Sequence, residues 1–356
     1  MNDAIRVFLV DDSALVRRLL RRTMDEQSDL VVCGDAADGR MAVEMIGRNV
    51  PDLVVLDVEM PVMDGITALG LIKKQHPKLP VIMFSTLTSR GAAVTIEALS
   101  RGAADYVTKP TGKASLEESI AGIRDDLIPR IRALVGTARR AASPDRAAAA
   151  AAIPALLPKR RLTCQPAAIV AIGVSTGGPD VLRQILPALP ATLAAPVVVV
   201  QHMPKMFTTL LASSLDARCP LTVREAAGGE TVAAGSVWIA PGGLHLEVER
   251  KDRTVLLKTH TGPPENSCRP AVDVLFRSVA KAYGERALAV VLTGMGSDGA
   301  SGATHIYNGG GQVLVQNQET SAVWGMPGAV VEKGVADAVL TPAELGREII
   351  RRVAGA

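Results

Sequence analysis

The sequence predicts an α/β protein of two domains, each built on a mostly parallel β-sheet with helices on its faces. Short apolar runs typical of buried strands alternate with helical stretches from Ile5 to about Ile123, and again from about Gln165 onward. Residues 124–161, which separate the two regions, lack this alternation. The length of 356 residues suits two domains of ordinary size. Aromatic residues are only 3% of the chain, so both cores should consist mainly of Ala, Val, Leu and Ile.

The first domain is predicted to span residues 1–123 and to contain five βα units. Its strands are expected at residues 7–10, 30–33, 53–56, 81–84 and 105–107. Ser13 stands where an N-cap would begin the first helix. The apolar residues at helical spacing in that helix are Leu15, Val16, Leu19, Leu20 and Met24.

Residues 124–161 are predicted to be a linker with a partly helical start. The segment contains nine Lys or Arg residues against three acidic ones, together with a run of alanines over residues 147–152. Its apolar pattern is weak, so we expect it to bury little and to be mobile beyond its helical start. A basic segment could contact an acidic partner, but a solvated linker is the simpler interpretation.

The second domain, residues 162–356, is predicted to be doubly wound with one antiparallel hairpin. Strand-like runs occupy residues 168–174, 197–201 and 287–293. Residues 244–248 and 254–258 indicate the hairpin, joined by residues 249–253. The first helix of this domain presents an apolar face formed by Leu182, Ile185, Leu186 and Leu189.

Bulk properties indicate an unexported cytoplasmic protein. The net charge of +3 is too small to indicate a nucleic-acid or membrane surface, and no apolar run approaches the ~20 residues that span a bilayer. The four cysteines lack paired spacing, which favours a reducing compartment. We therefore expect no nucleic-acid partner and no membrane insertion.

Polar residues end four of the predicted strands in the first domain. They are Asp11, Asp12, Asp57, Ser85 and Lys109. The carboxyl ends of parallel strands share one edge of a sheet, so these side chains should meet. Carboxylates suit Mg²⁺, Asp57 can act as a nucleophile toward a phosphoryl group, and Lys109 and Ser85 can meet the new charge. Any one of them could be only a helix cap, but the ordered set favours a phosphorylation site.

These motifs resemble the receiver domain of two-component response regulators. The matching residues are 10–13 (VDDS), 57–65 (DVEMPVMDG), 85–86 (ST) and 106–110 (YVTKP). The resemblance implies a flavodoxin-like sheet of five parallel strands. It also implies that a histidine kinase phosphorylates Asp57, and that Ser85 and Tyr106 relay the resulting switch.

The resemblance further implies a magnesium site in the first domain. By analogy with the receiver family, Mg²⁺ would be held by Asp12, Asp57 and the main-chain carbonyl of Glu59, with Asp11 in support. Lys109 would be a further residue of this site and would meet the charge on the phosphoryl oxygens.

Ser175, His202 and Asp298 follow predicted strands of the second domain and have the residue types of a catalytic triad. Loops at one sheet edge can bring them together. Ser175 precedes Gly177, Gly178 and a proline suited to a first helical turn, so helix N–H groups could stabilise an oxyanion.

Two other site types are less well supported by the residues. The glycines after Ser175 could form a dinucleotide-binding loop, but the full Gly-x-Gly-x-x-Gly spacing is absent, and Gln201-His202 stands where a ribose-binding acid would be expected. A zinc site is not expected, because the candidate ligands His245, His260, Cys219 and Cys268 lack tight ligand spacing.

The triad and its surrounding motifs closely resemble the catalytic domain of chemotaxis protein-glutamate methylesterases, the CheB family. The matching residues are 172–179 (IGVSTGGP), 201–204 (QHMP), 239–245 (IAPGGLH), 269–276 (RPAVDVLF), 292–299 (LTGMGSDG) and 325–327 (GMP). The preceding receiver-like domain completes that family's two-domain plan.

The resemblance implies hydrolysis of glutamate methyl esters, and of certain glutamines, on methyl-accepting chemotaxis receptors. Ser175 would be the nucleophile, His202 the base and then the acid, and Asp298 the residue that orients it. The backbone N–H groups of Thr176 and Met295 would be the oxyanion donors. No cofactor is implied for this domain.

The family also implies that the unphosphorylated receiver limits access to the active site. The linker here is longer than that family's usual connection. The main rival hypothesis is a response regulator whose second domain only binds a ligand or a protein. A DNA-binding output is a further alternative, although no helix-turn-helix pattern with a basic face stands out.

Overall fold

The computed structural model describes residues 4–86, 88–109, 115–142 and 165–355. They form two compact units, Met1–Arg140 and Ala141–Ala356. The part of the predicted linker from residue 143 to 161 lies outside the described residues. No helix in the described ranges combines the length and the apolar character needed to cross a bilayer.

The first unit contains one sheet of five parallel strands in the order β2-β1-β3-β4-β5, which confirms the predicted fold. The strands are β1 (Ile5–Val10), β2 (Leu30–Ala36), β3 (Leu53–Asp57), β4 (Val81–Ser85) and β5 (Asp105–Thr108). The helices are α1 (Ala14–Asp25), α2 (Gly39–Arg48), α3 (Gly65–Gln75), α4 (Ser89–Ser100) and α5 (Leu116–Ala142). Strands β3 and β4 are buried along their whole length because the helices cover both faces of the sheet.

Helix α1 begins as predicted, but its apolar face is narrower. The Ser13 hydroxyl accepts the Val16 N–H at 3.4 Å and caps the helix. Leu20 and Met24 are buried, whereas Leu15 is 69% exposed. Leu15 precedes Leu20 by five residues, which places it about 140° away around the helix. Leu15 therefore lies outside the buried face of α1.

Helix α5 continues to Ala142, well past the predicted domain boundary at residue 123. Its buried apolar residues beyond that point are Leu127, Ile128, Ile131, Leu134 and Val135. The sequence pattern correctly indicates a helical start but underestimates its apolar face.

The basic residues of α5 are partners of acidic residues in the first unit. Arg130 Nη1 lies 2.6 Å from Asp105 Oδ2, and Arg132 Nη2 lies 2.7 Å from Asp29 Oδ1. The basic residues that suggested a linker in the sequence therefore hold this helix against the first unit.

The second unit contains a sheet of seven parallel strands in the order β14-β13-β12-β6-β7-β9-β8. The strands are β6 (Ile169–Val174), β7 (Val197–Gln201), β8 (Thr222–Glu225), β9 (Ser236–Ile239), β12 (Ala287–Val291), β13 (Gln312–Gln316) and β14 (Ala338–Leu340). The helices are α6 (Gly178–Ile185), α7 (Lys205–Asp216), α8 (Val272–Tyr283), α9 (Ala300–Asn308), α10 (Met326–Glu332) and α11 (Pro342–Ala354).

The predicted hairpin is confirmed as a separate antiparallel pair, β10 (His245–Lys251) and β11 (Thr254–His260). The predicted apolar face after Ser175 is also fully buried, with Leu182 and Ile185 in α6, Leu186 in the 3-10 turn that follows it and Leu189 directly after that turn.

Strand β6 lies in the middle of the sheet, with β12 on one side and β7 on the other. After β6 the chain forms β7 on one side, and it later crosses to the other side to form β12. The loops that follow these three strands therefore surround a topological switch point. The Ser175 N–H donates to the Thr293 carbonyl at 3.0 Å, and the His202 N–H donates to the Val174 carbonyl at 3.2 Å. These bonds fix the backbones of Ser175 and His202 against the ends of the neighbouring strands.

Candidate active site and phosphorylation site

His202 and Asp298 form a direct pair at this edge of the second sheet. His202 directly follows β7, and Asp298 lies in the loop between β12 and α9. Imidazole Nε2 is 2.8 Å from Asp298 Oδ2, although 96 residues separate the two in sequence. Their predicted proximity is thus observed.

Hydrogen bonds hold the Asp298 carboxylate on both oxygens. Oδ1 accepts the Asn266 side-chain amide and the main-chain N–H groups of Asp273 and Gly299, each at 3.0 Å. Oδ2 accepts the Val272 N–H at 2.7 Å in addition to His202. Two of these donors belong to the first turn of α8, where backbone N–H groups favour negative charge.

These contacts keep Asp298 ionised although it is buried. Burial raises the pKa of Asp298, but the hydrogen bond and charge of His202 and the backbone N–H groups of Asp273 and Val272 lower it further, and the net shift is downward. A permanently charged carboxylate favours the imidazolium form of its partner.

The second ring nitrogen of His202 faces a cysteine that sequence reasoning missed as a site residue. Nδ1 lies 3.6 Å from Cys268 Sγ. Burial lowers the pKa of His202, but the Asp298 and Cys268 contacts together outweigh it and raise the pKa to about 9. Nε2 of His202 therefore bonds to Asp298, while Nδ1 faces the Cys268 thiol.

A tight turn delivers the Asn266 and Cys268 side chains to the pair. The N–H of Glu265 donates to the Cys268 carbonyl at 3.1 Å, and the reverse bond measures 2.9 Å. Asn266 and Ser267 between them have φ of 53° and 61°. Asn tolerates this left-handed region, whereas Ser adopts it at a cost of about 1 kcal/mol. The local strain is consistent with a turn maintained for its side-chain contacts.

A buried histidine, His245 at the start of β10, fixes both ends of the loop that carries this turn. Its Nε2 lies 2.9 Å from the Pro263 carbonyl, and its Nδ1 accepts the Ala271 N–H at 3.2 Å. These partners require the neutral ring with the proton on Nε2. His245 is therefore a structural residue, consistent with its exclusion from the predicted triad.

Ser175 lies at the same edge, half-buried, between the ends of β6 and α6. Gly177, with φ of 78°, makes the turn into the helix. Gly294 contacts Ser175 so closely that a Cβ there would lie 2.8 Å from the Ser175 Cβ. Within the described residues, the hydroxyl of Ser175 forms no hydrogen bond with His202, whose ring nitrogens contact Asp298 and Cys268. The structure brings the three predicted residues to one edge and pairs two of them.

The predicted oxyanion donors flank Ser175. Thr176 is buried, and its carbonyl accepts the Thr293 hydroxyl at 2.9 Å. Met295 directly follows Gly294 and is 37% exposed. Both backbones therefore lie near the serine, and their role as donors stays a prediction.

In the first unit, the predicted carboxylate cluster is assembled as expected. Asp11, Asp12 and Asp57 offer oxygens that all lie within 4.8 Å of one another. Lys109 Nζ lies 2.7 Å from Asp11 Oδ2 and 2.8 Å from Asp57 Oδ2. A set of carboxylate oxygens with one ammonium nearby fits the ligand preference of Mg²⁺.

The electrostatics of Asp57 suit a titratable nucleophile. Burial is the largest influence and raises its pKa, Asp11 raises it further, and the hydrogen bond from Lys109 opposes both, which gives a value of about 6. Burial also lowers the pKa of Lys109, but its two carboxylate partners raise it above the usual value. Asp57 Oδ1 accepts the Val58 N–H at 2.7 Å.

The remaining predicted receiver residues are Ser85 at the end of β4, Tyr106 in β5 and Glu59 just after β3. The Ser85 hydroxyl is within 3.3 Å of the carbonyls of Thr86 and Gly91. Tyr106 is buried, which raises its pKa. The Glu59 carboxylate pairs with Arg90 at 3.3 Å, so its predicted metal contact involves only the main chain.

Comparison with known proteins supports both halves of this description. Residues 170–349 match the family model for CheB methylesterase, and residues 7–121 match that for the response regulator receiver domain. A protein-glutamate methylesterase/protein-glutamine glutaminase of Trichodesmium erythraeum is 47% identical over 350 residues, covering 98% of this chain and 99% of the relative. A protein of the same name from a Nocardioides species is 47% identical over 353 residues, covering 98% and 96%.

A solved structure agrees with the second unit. The CheB methylesterase catalytic domain of Thermotoga maritima is 44% identical, covers 52% of this chain and 99% of its own, and superimposes with a TM-score of 0.51. The predicted resemblance is confirmed: this chain belongs to the CheB family of protein-glutamate methylesterases/protein-glutamine glutaminases.

Proposed function

We propose that this protein removes methyl groups from glutamate methyl esters, and amide groups from certain glutamines, on methyl-accepting chemotaxis receptors in the cytoplasm. Its activity would increase on phosphorylation and would support sensory adaptation. The observation that carries the catalytic part is the buried His202–Asp298 pair beside Ser175 at the switch point of the second sheet. This arrangement is suited to acyl transfer through a serine nucleophile.

In the proposed reaction, the Ser175 hydroxyl attacks the side-chain carbonyl of the methylated glutamate. His202 takes the serine proton and then gives it to the leaving group, which departs as methanol from an ester or as ammonia from an amide. Water then attacks the acyl-enzyme with the same imidazole as base. The product is a glutamate side chain and a regenerated serine.

The contacts of His202 support Nδ1 as the nitrogen that would act as the base. Asp298 accepts the proton on Nε2, so Nδ1 carries the lone pair that can receive the serine proton. Cys268 Sγ now lies 3.6 Å from Nδ1. A side-chain rotation that brings the Ser175 hydroxyl to Nδ1 in place of the thiol would complete the triad. The backbone N–H groups of Thr176 and Met295 would stabilise the oxyanion of the tetrahedral intermediate.

The first domain would control this reaction through Asp57. A chemotaxis histidine kinase would supply the phosphoryl group, and Asp11, Asp12, Asp57 and the Glu59 carbonyl would hold Mg²⁺, which neutralises charge during the transfer. Lys109, already bonded to Asp57, would then pair with the phosphoryl oxygens.

We propose that the receiver limits substrate entry until Asp57 is phosphorylated. Ser85 and Tyr106 would relay the change. Phosphorylation would shift the population toward an accessible active site, and each ~1.4 kcal/mol of preference changes the ratio about tenfold.

The catalytic proposal is tested by methanol release from methylated receptor membranes. The full-length protein should release methanol, and Ser175→Ala should reduce the rate by about 10⁴-fold or more. A serine-directed fluorophosphonate probe should label the parent protein and fail to label Ser175→Ala. Unchanged labelling in that variant would favour the alternative in which the second domain only binds a ligand or protein.

Cys268 is the competing nucleophile, because its sulfur already contacts the imidazole. Cys268→Ser separates the two assignments. If Ser175 is the nucleophile, this variant retains methanol release within about tenfold and still labels with the fluorophosphonate. Loss of release comparable to that of Ser175→Ala, with the probe still bound at Ser175, would assign the chemistry to the thiol.

The regulatory proposal is tested on the full chain with acetyl phosphate and Mg²⁺. Methanol release should increase on addition of the phosphodonor, and Asp57→Asn should abolish the increase while preserving the basal rate. An equal increase in Asp57→Asn would contradict control through this residue.

A further inference from the structure

We propose that Cys268 and His202 form an inhibitory binding site for Zn²⁺ or a similar soft divalent cation. The two ligand atoms would be Cys268 Sγ and His202 Nδ1, with Asp298 behind the ring. These three side chains form one of the potential metal-binding groups among the described residues. The ligands are 66 residues apart in sequence, so ligand spacing could not predict the site.

The distance between the two ligand atoms fits a tetrahedral zinc ion. Zn–N bonds of about 2.0–2.1 Å and a Zn–S bond of about 2.3 Å at a tetrahedral angle place the nitrogen and the sulfur about 3.5 Å apart. The observed separation of Nδ1 and Sγ is 3.6 Å. One ion could therefore contact both atoms at their present separation.

Asp298 would support the metal-bound histidine rather than bind the ion. Its Oδ2 already accepts from His202 Nε2 and the Val272 N–H, and its Oδ1 accepts three further N–H groups. A histidine that binds a metal through one nitrogen and donates to a carboxylate through the other is the common arrangement in zinc sites. The present hydrogen bond fixes the tautomer that such a histidine requires.

Both ligand residues of the proposed site are accessible to solvent. Cys268 is partly exposed, and the His202 side chain is 13% exposed. Water could fill the other coordination positions of the ion. The carboxylate cluster of the first domain has only oxygen ligands and would prefer Mg²⁺, whereas sulfur and imidazole select zinc-like cations. The two sites should therefore discriminate between the two classes of ion.

Metal binding would inhibit hydrolysis because it occupies Nδ1. This consequence rests on the proposed role of His202 as the base, but binding itself does not. A chelator should reverse the inhibition, because no covalent bond of the protein is changed. Binding also requires a deprotonated thiol and a neutral imidazole, so it should release protons.

The test uses Co²⁺ as a spectroscopic probe of the full-length protein in excess Mg²⁺, which saturates oxygen-only sites. One equivalent of Co²⁺ should produce a thiolate-to-metal charge-transfer band, and Zn²⁺ should remove it by displacement. Cys268→Ser should abolish the band. Cys219→Ser is the matched control, because Cys219 is also a half-buried free cysteine but has its pKa raised by burial to about 11.

Zinc affinity and inhibition are measured in parallel, by competition with a chromophoric chelator and by methanol release. The expected result is that Cys268→Ser weakens zinc binding more than about tenfold, while Cys219→Ser leaves it within about twofold. Absence of the charge-transfer band in the parent protein, or its persistence in Cys268→Ser, would overturn the site. Zinc bound through Cys268 without loss of methanol release would overturn the inhibitory role. Failure of the serine mechanism would instead appear as an active Ser175→Ala variant.

Discussion

The substitution Asp298→Asn should inactivate the enzyme by reversing the tautomer of His202. The wild-type carboxylate accepts hydrogen bonds on both oxygens, from five N–H groups in total. An amide of the same shape has one oxygen and one NH₂ group, so it can satisfy only one side.

The number of donors on each side determines which way the amide turns. With its oxygen at the Oδ1 position, the amide keeps the bonds from Asn266, Asp273 and Gly299, and its NH₂ group faces the Val272 N–H. The opposite orientation would place NH₂ against three donors. Each unpaired buried N–H costs about 1–3 kcal/mol, so the first orientation is favoured.

In that orientation the NH₂ group faces Nε2 of His202, which must then become the acceptor. The proton moves to Nδ1, and the nitrogen that should receive the serine proton no longer has a free lone pair. The same exchange of acid for amide in the well-studied serine protease triad lowers kcat about 10⁴-fold. We expect a loss of kcat/KM of about 10³–10⁴-fold here, or about 4–5.5 kcal/mol of transition-state stabilisation.

The assay is methanol release together with ¹⁵N NMR of the imidazole. At a pH above 9, where the ring is neutral, the parent should carry the proton on Nε2, and Asp298→Asn should carry it on Nδ1. Asp273→Asn is the control, because Asp273 is also a buried carboxylate bonded to Asn266, whereas the imidazole nitrogens contact Asp298 and Cys268 instead. A folded Asp298→Asn variant that retains more than about a tenth of the activity would refute the proposed role of the pair.

Three further predictions concern the same contacts. The pKa of His202 is raised to about 9, and the neutral ring is the base, so kcat/KM should increase with pH through the alkaline range. Cys268→Ser should move the midpoint of that profile to lower pH. An unchanged midpoint would contradict the contribution of the thiol to the pKa of His202. The pKa of Asp57 is raised to about 6 in the metal-free protein, so its carboxyl carbon should titrate near pH 6 in ¹³C NMR without Mg²⁺; a midpoint near 4 would contradict that environment. Asn266→Gly preserves the left-handed backbone but removes the amide bonded to Asp298, so kcat/KM should fall about tenfold. Ser267→Gly should leave kcat/KM unchanged and stabilise the protein by about 0.5–1 kcal/mol in denaturant unfolding. Equal effects of the two substitutions on kcat/KM would contradict a positioning role for Asn266.

The sequence predicted the parts of the site that follow strands. Ser175, His202 and Asp298 could be grouped because parallel strands align their carboxyl ends, and the same rule grouped Asp11, Asp57 and Lys109. The structure places each set at one sheet edge. Residues at strand ends are therefore predictable without knowledge of loop conformation.

Residues delivered by irregular segments were not predictable in this way. Asn266 and Cys268 reach the site through a turn with two positive φ angles between the hairpin and α8, where no hydrophobic period constrains the path. The exposed position of Leu15 and the buried face of α5 show a related effect, since both depend on which side of a helix meets the sheet.

The two carboxylates at the centres of the two sites have pKa values shifted in opposite directions because their polar neighbours differ. Asp298 and Asp57 are both buried, which disfavours ionisation. Asp298 receives N–H donors on both oxygens and has its pKa lowered, whereas Asp57 lies near the like charge of Asp11 and has its pKa raised to about 6. Asp298 can therefore act as a permanent anion that orients a base. Asp57 instead has a pKa close to neutral pH, so its charge state is sensitive to a nearby cation, and phosphorylation would add further negative charge at the same position.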